Sequence, residues 1–537
     1  MPTTEQQTNY LKYKYVISAG SLRGIQFMHA DGASQLKTMT LEQYFDQFRS
    51  KTVGYDQSID TPFGKKKIVY ADWIASGRLY MPIEQKMLHE IAPFIGNTHS
   101  ETSDTGLLMT HAYHLSHKLI KEHCNAGPND VIITAGSGMT TVINKFQRML
   151  GLKKQGQASP DCPDNREKPV VFITHMEHHS NHTSWYETNA DVVMVEPGPN
   201  LEVVPENLRA ALIKYRDRQF KIGSFTSCSN VTGVRTPYYD LAEIMHEFGG
   251  VCFIDFAASA PYDPIDMHPA NPKQKLDAVL FSPHKFLGGP GTPGVLIFDA
   301  SMYHNDVPDQ PGGGTVDWTN PWGEYKYVDN IEEREDGGTP GFLQSIRAAL
   351  AIALKEEMGC SKIREREEEL LIRAFNGLDS VPGLHILADS IRNRLGVISF
   401  YIEGVHYNLL VRLLNDLYGI QLRGGCACAG TYGHFLLEVS HEKSREITSK
   451  ISHGDLSEKP GWVRWSLHPT TTNAEVDLLI EGLHYILENL SELEQQYRYD
   501  NHRNLYWHKD YPAEHYNTLL EKWFDLKPVV KFAGNHG

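Results

Sequence analysis

Two charged side chains follow apolar runs that are consecutive along the chain. Asp255 lies at the end of the run VCFIDF, and Lys285 follows the run AVLFS by three residues. A buried carboxylate is costly unless it meets a cation, and a protonated pyridinium nitrogen is such a partner. A lysine in an apolar site loses proton affinity and becomes an amine nucleophile for an aldehyde. Alone, Asp255 is more readily a helix N-cap and Lys285 a surface charge, but together they favour a shared site.

Residues near this lysine have the types that bind phosphate. Ser282 and His284 are donors of suitable length, and the glycines that follow let the backbone approach closely. Earlier in the chain, the run VIIT leads into a turn with Ser137 and Gly138 and then into a predicted helix. A strand, a glycine turn and a helix N-terminus bind phosphate through the helix dipole and free amides. Because such turns also serve packing, this one supports a phosphate site only together with the lysine.

Four histidines lie within eight residues of the segment ITHMEHHSNHTSW, namely His175, His178, His179 and His182. Such a cluster is compatible with zinc, but no cysteine or second carboxylate follows at ligand spacing, so we predict no metal site. A ring that stacks on a planar cofactor needs one imidazole, and we assign that role to His178. Asn230, just beyond another apolar run, is a candidate donor to a hydroxyl of the cofactor ring.

The stretch LRGGCACAGTYG contains Cys426 and Cys428 in a glycine-rich loop. Exposed thiols near cations are the reactive ones, because the thiolate is the nucleophile, and Arg423 is a nearby source of positive charge. Two alternatives stay open. A free cysteine often serves as a small buried hydrophobe. A C-x-C pair can also be half of a metal or disulfide site, although no second pair is present.

An arginine near the end of the chain is a candidate for binding a carboxylate. Arg464 lies in GWVRWSLHPT, and its guanidinium can make paired, planar contacts of the kind that suit an α-amino acid. The alternation along this run makes Arg464 face away from Val463 and Trp465. An ordinary arginine on the surface of a sheet is equally compatible with that pattern.

Seven short apolar runs predict the sheet that positions these residues. The runs are VIIT (131–134), VVFIT (170–174), VVMVE (192–196), IGSFTS (222–227), VCFIDF (251–256), AVLFS (278–282) and GVLIF (294–298). Continuous apolar runs of this length predict strands that are buried on both faces. Helical patterns between them, at 205–216 and 239–248, predict an α/β domain with a mainly parallel sheet. Ligands in such sheets bind at the carboxyl ends of the strands.

The patterns along the chain predict four segments. These are an N-terminal extension (1–68), a large domain (69–345), a smaller α/β C-terminal domain (346–495) and a C-terminal arm (496–537). A helix is predicted near 41–48, and a charged helical stretch at 342–375 links the two domains. The small domain has strands predicted near 396–402, 420–423 and 462–467, a polar insertion at about 434–460 and a helix from 473 to about 492.

The composition limits the partners of the chain. Its 66 acidic residues against 51 Lys and Arg give a formal net charge of −15, which repels nucleic acid and anionic lipid. No apolar run is long enough to span a bilayer, and the N-terminus lacks a secretory pattern. Seven cysteines without regular spacing predict no disulfide framework, so a reducing cytoplasm is the simplest location.

Taken together and in order, TAGSG, MEHHSN, CSNVTG, the strand of Asp255 and SPHK resemble the class V aminotransferase family, and within it cysteine desulfurases and selenocysteine lyases. The resemblance covers roughly residues 68–490. It implies the fold type I of transferases that depend on pyridoxal 5′-phosphate (PLP). It also implies that Lys285 holds PLP as a Schiff base, that Asp255 pairs with the pyridinium and that His178 stacks on the ring.

The same resemblance implies further contacts. Asn230 would contact the ring oxygen and the substrate, and the phosphate would be held by Ser137, Gly138, Ser282 and His284. A homodimer is implied, in which Thr339 of the other subunit completes the phosphate site. The segment GNTHSE (96–101) resembles a stretch of desulfurases and molybdenum-cofactor sulfurases, which makes His99 a candidate for substrate binding. Ala258 stands where desulfurases commonly have Gln or His, which leaves the reaction type open.

The most specific hypothesis is a cysteine desulfurase that converts L-cysteine to L-alanine and forms a persulfide on Cys428. Cys428 lies in an RxGxxC context like that of the family's catalytic cysteine, and Arg464 matches its carboxylate-binding arginine. Lys285 would act as the general base, and a sulfur-acceptor protein would be the partner. A carbon–sulfur β-lyase, a selenocysteine lyase or an epimerase of the same family are alternatives. A non-catalytic sulfur carrier or scaffold is an alternative of another class, against which the intact lysine, aspartate and phosphate set argues.

Overall fold

The apolar runs of the sequence form strands, and the amphipathic stretches between them form helices. The structure, a computed structural model, describes residues 39–153, 167–511 and 516–526. The strands in these ranges are β1 (Ser58–Thr61), β2 (Gly64–Lys67), β3 (Val69–Tyr70), β4 (Asp130–Ala135), β5 (Val170–Thr174), β6 (Asp191–Val195), β7 (Lys221–Thr226), β8 (Val251–Asp255), β9 (Ala278–Phe281), β10 (Gly294–Asp299), β11 (Val316–Thr319), β12 (Tyr325–Tyr327), β13 (Leu384–Ile386), β14 (Val397–Ile402), β15 (Ile420–Gln421), β16 (Arg423–Gly425), β17 (Trp462–Ser466), β18 (Tyr497–Asp500) and β19 (Leu505–His508).

The α-helices in the same ranges are α1 (Leu41–Arg49), α2 (Met81–Gln85), α3 (Asp104–His123), α4 (Met139–Met149), α5 (His179–Tyr186), α6 (Pro205–Lys214), α7 (Tyr238–Glu247), α8 (Ile331–Arg334), α9 (Phe342–Met358), α10 (Cys360–Leu378), α11 (Tyr407–Tyr418), α12 (Gly430–Leu436), α13 (His441–Ser452), α14 (Asn473–Glu488), α15 (Leu490–Glu494) and α16 (Asn517–Trp523). A π-helix covers Lys86–Ile91, and short 3-10 helices cover Ala92–Phe94, Pro272–Gln274, Pro283–Lys285 and Ala300–Met302. Among the described residues no helix is both long and apolar enough to cross a membrane.

A seven-stranded sheet forms the large domain, and each predicted run contributes one strand to it. The strand order is β4-β10-β9-β8-β7-β5-β6. β10 is antiparallel to both of its neighbours, and the other adjacent pairs are parallel. The strands β5, β7 and β9 are buried along their whole length, as expected for Val- and Ile-rich strands covered on both faces. The predicted α/β fold with a mainly parallel sheet is confirmed.

The small domain is built on a four-stranded sheet with the order β13-β14-β17-β16, in which neighbouring strands are antiparallel. The helices α10, α11 and α14 contribute apolar side chains to the core beside this sheet. β15 is parallel to β3, so the chain that leads into the large domain also pairs with the small one. The helix predicted for 473–492 is interrupted at Asn489, where α14 ends and α15 begins.

The residues from Leu41 onward form one compact unit, including part of the predicted N-terminal extension. Phe45 and Phe48 of α1 are buried in the large core, and Arg49 binds both carboxylate oxygens of Glu475. The rest of the extension, residues 1–38, lies outside the described residues.

Two further predicted segments also contact the body. Helix α13 lies in the predicted insertion at about 434–460. In the predicted C-terminal arm, β18 and β19 form a hairpin whose Tyr497 hydroxyl donates to Asp416 at 2.8 Å. Residues 512–515 and 527–537 of that arm lie outside the described residues. The domain boundaries stay predictions.

Candidate active site

The carboxyl ends of neighbouring strands bring the predicted residues together at one edge of the large sheet. β8 ends with Asp255, and the parallel strand β9 continues into the short helix that ends with Lys285. β4 runs in the same direction as β9, so the turn that follows it reaches the same edge. Asp255, Lys285 and this turn line one cavity of about 270 Å³. The convergence predicted from strand ends is therefore present in the structure.

The cavity changes the proton affinity of both charged groups. Loss of hydration lowers the pKa of Lys285 to about 8, although the charge of Asp255 partly opposes the effect. Burial raises the pKa of Asp255 to about 6, against the effects of a hydrogen bond from Ala257 N–H and the charge of Lys285. An amine with a pKa near 8 is partly neutral at physiological pH, so it can act as a nucleophile or a base.

The turn after β4 is shaped to receive an anion. Gly136 has a φ of +54°, and a Cβ there would lie 2.4 Å from the Thr141 hydroxyl oxygen. Gly138 precedes α4 and has no side chain to cap it, and the first amide of the helix, that of Met139, donates to Ser282 Oγ instead. A Cβ on Gly138 would lie 2.9 Å from the ring of His284. The positive end of α4 therefore faces a space that the glycines keep open.

Ser282 and His284 join the lysine segment to this turn. The Met139 N–H donates to Ser282 Oγ at 2.9 Å, and His284 Nδ1 donates to the Ser137 carbonyl at 2.8 Å. Ser282 Oγ keeps its own proton as a donor for a phosphate, whereas Nε2 of a neutral His284 is an acceptor and could donate only with the ring protonated. Ser137, Gly138, Ser282 and His284 all line the cavity, as predicted for phosphate contacts.

The four clustered histidines have separate partners in the structure. His178 lines the cavity, and its Nδ1 accepts from Ser180 N–H at 3.1 Å. Burial, followed by the charge of Lys285, lowers the pKa of His178 to about 3, so its ring is neutral. His175 bonds the Leu201 carbonyl, and His182 bonds the Tyr186 hydroxyl. Among the described residues no group of His, Cys, Asp or Glu has the geometry of a metal site.

The two cysteines of the C-x-C pair have different surroundings. Cys428 lines the cavity and is half-buried, whereas Cys426 is half-buried but packs beside the large core. Ala427 and Cys428 have φ angles of 50° and 59°, a left-handed conformation that costs roughly 1–2 kcal/mol per non-glycine residue. We refer to residues 426–430 as the Cys428 loop. Its strained backbone needs contacts from the rest of the protein to hold it in this conformation.

Asn230 lines the cavity and binds the Cys428 loop. Its Nδ2 donates to the Ala427 carbonyl at 2.7 Å, while its buried Oδ1 has no hydrogen-bond partner among the described residues. We expected Asn230 to donate a hydrogen bond to a ring hydroxyl. With Nδ2 engaged, the atom that remains for a ligand is an acceptor, so a hydroxyl would have to be the donor. A buried acceptor without a partner is costly and indicates a missing ligand group.

Two arginines from neighbouring strands of the small domain also line the cavity. Arg423 and Arg464 are directly opposed in β16 and β17, so their side chains lie on the same face. Arg464 is 3% exposed, and it donates to Asp72 at 2.6 Å and to the Asn230 carbonyl at 3.3 Å. Arg423 is exposed. The lining of the cavity therefore includes two guanidinium groups, one of them paired with Asp72, which suits a carboxylate.

Two predicted residues do not line this cavity. Thr339 is exposed, and its hydroxyl donates to Asn97 at 3.3 Å. His99 is exposed in a left-handed conformation with a φ of 63°. Thr339 was expected to act on the partner's site, which one chain cannot test, so both assignments stay predictions.

Sequence reasoning missed two carboxylates that organise the site. Asp72 forms the ion pair with Arg464, 392 positions away along the chain. Glu177 is fully buried and accepts from Thr174, Thr226 N–H and Asn181 Nδ2 at 2.7–3.3 Å. Glu177, which precedes His178 in the chain, thereby joins β5, β7 and α5. Glu177 lies in the motif MEHHSN, so its role in the site could have been inferred from the sequence. No local pattern indicates that Asp72 pairs with Arg464.

Known proteins resemble this chain in sequence and in fold. A probable cysteine desulfurase from Halalkalibacterium halodurans is 27% identical over 381 residues, which are 69% of this chain and 86% of that protein. A probable cysteine desulfurase from Staphylococcus aureus strain Mu50 is 27% identical over 376 residues, 69% of this chain and 85% of that protein.

Solved structures show the same fold. An apo cysteine desulfurase from Thermococcus onnurineus NA1 has a TM-score of 0.66 and 20% identity, covering 83% of this chain and 98% of that one. A cysteine desulfurase from Escherichia coli has a TM-score of 0.61 and 21% identity, with the same coverage. Residues 69–479, most of the chain, match the family described as Aminotransferase class-V. The resemblance inferred from the motifs is confirmed, and the chain belongs to the class V aminotransferase family.

Proposed function

We propose that this protein is a PLP-dependent cysteine desulfurase that transfers sulfur from L-cysteine to Cys428. One observation carries the proposal. A partly neutral lysine, a buried carboxylate and a half-buried thiol line the same cavity, each supplied by a different part of the chain. The probable cysteine desulfurases that resemble the chain support the same conclusion. A non-catalytic scaffold has no need of this set.

The residues present fit PLP. The N-terminus of α4 and the Ser282 hydroxyl suit the phosphate, with His284 beside them, and the unpartnered Asn230 Oδ1 suits the ring hydroxyl. Asp255 Oδ1 accepts from Ala257 N–H, and the carboxylate would keep the pyridine nitrogen protonated. His178 would stack on the ring, and Lys285 would anchor the cofactor through its amine. When bound, PLP supplies an electron-withdrawing ring that acidifies the Cα–H bond of the amino acid attached to it.

Lys285 moves the proton in this proposal. With the substrate bound, Lys285 Nζ would be the base that accepts the Cα proton. Because desolvation lowers the pKa of Lys285 to about 8, Nζ is partly unprotonated at neutral pH and can also return the proton. His178 stays neutral under the same conditions, so it does not compete for that proton.

Cys428 accepts the sulfur. Its Sγ attacks the sulfur of the bound cysteine, a new S–S bond forms and the Cβ–S bond of the substrate breaks. L-Cysteine and the Cys428 thiol thus become L-alanine and a Cys428 persulfide, which a thiol or an acceptor protein then consumes. Arg423 and Arg464 line the same cavity and suit the carboxylate of the substrate.

We also propose a homodimer, in which Thr339 serves the site of the other subunit, and we keep His99 as a candidate for substrate binding. A cytoplasmic location is part of the same proposal, since the cysteines in the described residues are free thiols.

Product analysis tests the proposed function. The holoenzyme, incubated with L-cysteine and a reducing thiol, is expected to form alanine and sulfide in equal amounts. Pyruvate and ammonia in place of alanine would identify a β-lyase and overturn the proposal. Cys428→Ala is expected to abolish alanine formation while the absorbance of bound PLP near 420 nm stays unchanged. Full activity of this variant would also contradict the proposal.

A further inference from the structure

The Cys428 loop is clamped by a histidine that does not line the cavity. His179 is the first residue of α5 and lies next to the stacking candidate His178. Its backbone N–H donates to the Cys428 carbonyl at 2.9 Å. The Gly430 N–H donates to its ring atom Nε2 at 2.9 Å. One residue of the large domain therefore holds the loop at two points, the Cys428 carbonyl and the Gly430 amide two residues later.

The bond at Gly430 requires a neutral imidazole. Because an amide N–H can only donate, Nε2 must be the acceptor, and the ring proton must be on Nδ1. Burial, followed by the charge of Lys459, lowers the pKa of His179, which favours this neutral form. His182, one turn further along α5, has a longer contact of 3.3 Å with the Thr431 hydroxyl.

The amide of Gly430 has no other natural acceptor. Gly430 is the first residue of α12, and the first amides of a helix have no partner within the helix. A Cβ at Gly430 would lie 3.3 Å from His179 Nε2, so the two residues are in close contact. The imidazole therefore supplies the hydrogen-bond acceptor that the helix lacks at Gly430. This bond lies close to the two consecutive left-handed residues of the loop.

We propose that His179 is a positioning residue that holds the Cys428 loop, and with it the sulfur-accepting thiol, in the cavity. The expected effect on turnover rests on the proposed function, whereas the hydrogen bonds from the loop to His179 are a property of the fold. Without the clamp, the strained loop opens more often and Cys428 is less often in place. Binding of the amino acid and loss of its Cα proton depend on other residues and continue.

A matched pair of variants tests the acceptor. His179→Leu has similar size and no acceptor, whereas His179→Gln places an amide oxygen at a comparable reach. In the holoenzyme, His179→Leu is expected to increase alkylation of Cys428 by iodoacetamide about fivefold, since one hydrogen bond is lost. Alanine formation is expected to fall by a similar factor, with KM and the spectral change on binding cysteine within about twofold. His179→Gln is expected to behave like the wild type. Equal behaviour of the two variants would overturn the proposal.

Hydrogen exchange in the wild-type holoenzyme gives a test that needs no substitution. If His179 accepts from Gly430, that amide exchanges slowly although it lies at the start of a helix. Rapid exchange at Gly430 would overturn the proposal even if His179→Leu failed to fold. Failure of the proposed function would give a different result, namely alanine formation by Cys428→Ala. In that case, alkylation of Cys428 and hydrogen exchange at Gly430 would still show whether His179 holds the loop.

Discussion

The Lys285 edge of the large sheet and the Cys428 loop form two walls of one cavity, but they are held in place differently. At the sheet edge, adjacent parallel strands fix Asp255 and Lys285 through their own register. The Cys428 loop has a left-handed backbone and is held by side chains about 200 to 250 positions earlier in the chain. In the proposed function, rigid elements therefore carry the residues for cofactor anchoring and proton transfer, and a loop carries the residue for sulfur transfer. A loop that must present a persulfide to an acceptor benefits from contacts that can break.

Replacing the anchor at the sheet edge is expected to have the largest effect. Lys285→Ala removes both the attachment of PLP and the base, so alanine formation is expected to fall by about 10⁴-fold or more. The fold is expected to persist, because the variant removes a charged group from a desolvated site. Steady-state assays and thermal unfolding check both statements. Activity above about one hundredth of wild type would contradict the role of Lys285.

The difference between the two walls also explains how much could be predicted from the sequence. All seven strands of the large sheet and the convergence of Asp255 and Lys285 followed from local patterns, since parallel strand ends share an edge. The hydrogen bond from Asn230 to the Ala427 carbonyl, the ion pair of Asp72 and the clamp of His179 were not predicted. Each joins residues that are far apart in the sequence, and no local pattern specifies such a partner.

Asp255→Asn is expected to have the second largest effect. The variant keeps the shape of the side chain but removes the negative charge that would hold the pyridine nitrogen protonated. Loss of one such preorganised electrostatic contact is expected to lower kcat by about 10²- to 10³-fold. Because this residue and the Cys428 loop belong to different walls, the alkylation rate of Cys428 is expected to stay within about twofold of wild type. A large change in that rate would show that the walls are coupled.

Arg464→Lys tests the wall formed by the small domain. A lysine keeps the charge beside Asp72 but loses the planar, paired contact with a carboxylate. KM for L-cysteine is expected to rise roughly tenfold to a hundredfold, with a smaller effect on kcat. Cysteamine, which lacks the carboxylate, provides the control, since its reaction is expected to respond little to the variant. An equal loss with both compounds would argue against carboxylate binding by Arg464.

The raised pKa of Asp255 predicts a pH dependence for the uptake of PLP. Burial raises this pKa to about 6 in the protein without cofactor, so the carboxyl group loses its charge as pH falls through that value. A neutral acid cannot pair with the pyridinium, and affinity for PLP is expected to fall by up to about tenfold per pH unit below 6. The free energy of unfolding of the protein without cofactor has the opposite pH dependence. Asp255 contributes stability below about pH 4, and this contribution is lost as pH rises through 6.

Asp255→Asn is the control for this experiment. The phosphate of PLP also titrates in this range, and the variant retains that contribution while it lacks the carboxyl group. Titrations of both proteins with PLP at several pH values, followed by absorbance, isolate the contribution of Asp255. If the two proteins showed the same pH dependence, Asp255 would not be the group that pairs with the ring.

Cys426→Ser is expected to have the smallest effect and separates the two thiols of the loop. Cys426 does not line the cavity, and Ser has nearly the same size, so alanine formation is expected to stay within about twofold. Cys428→Ser, only two residues away, is expected to abolish it. Mass spectrometry of the enzyme after a single turnover is expected to find 32 Da of added sulfur, about one atom, on Cys428 in the wild type and in Cys426→Ser. Only Cys428 of the two cysteines lines the cavity with Lys285. Equal losses in both variants would therefore mean that the reaction requires the loop itself rather than the Cys428 thiol.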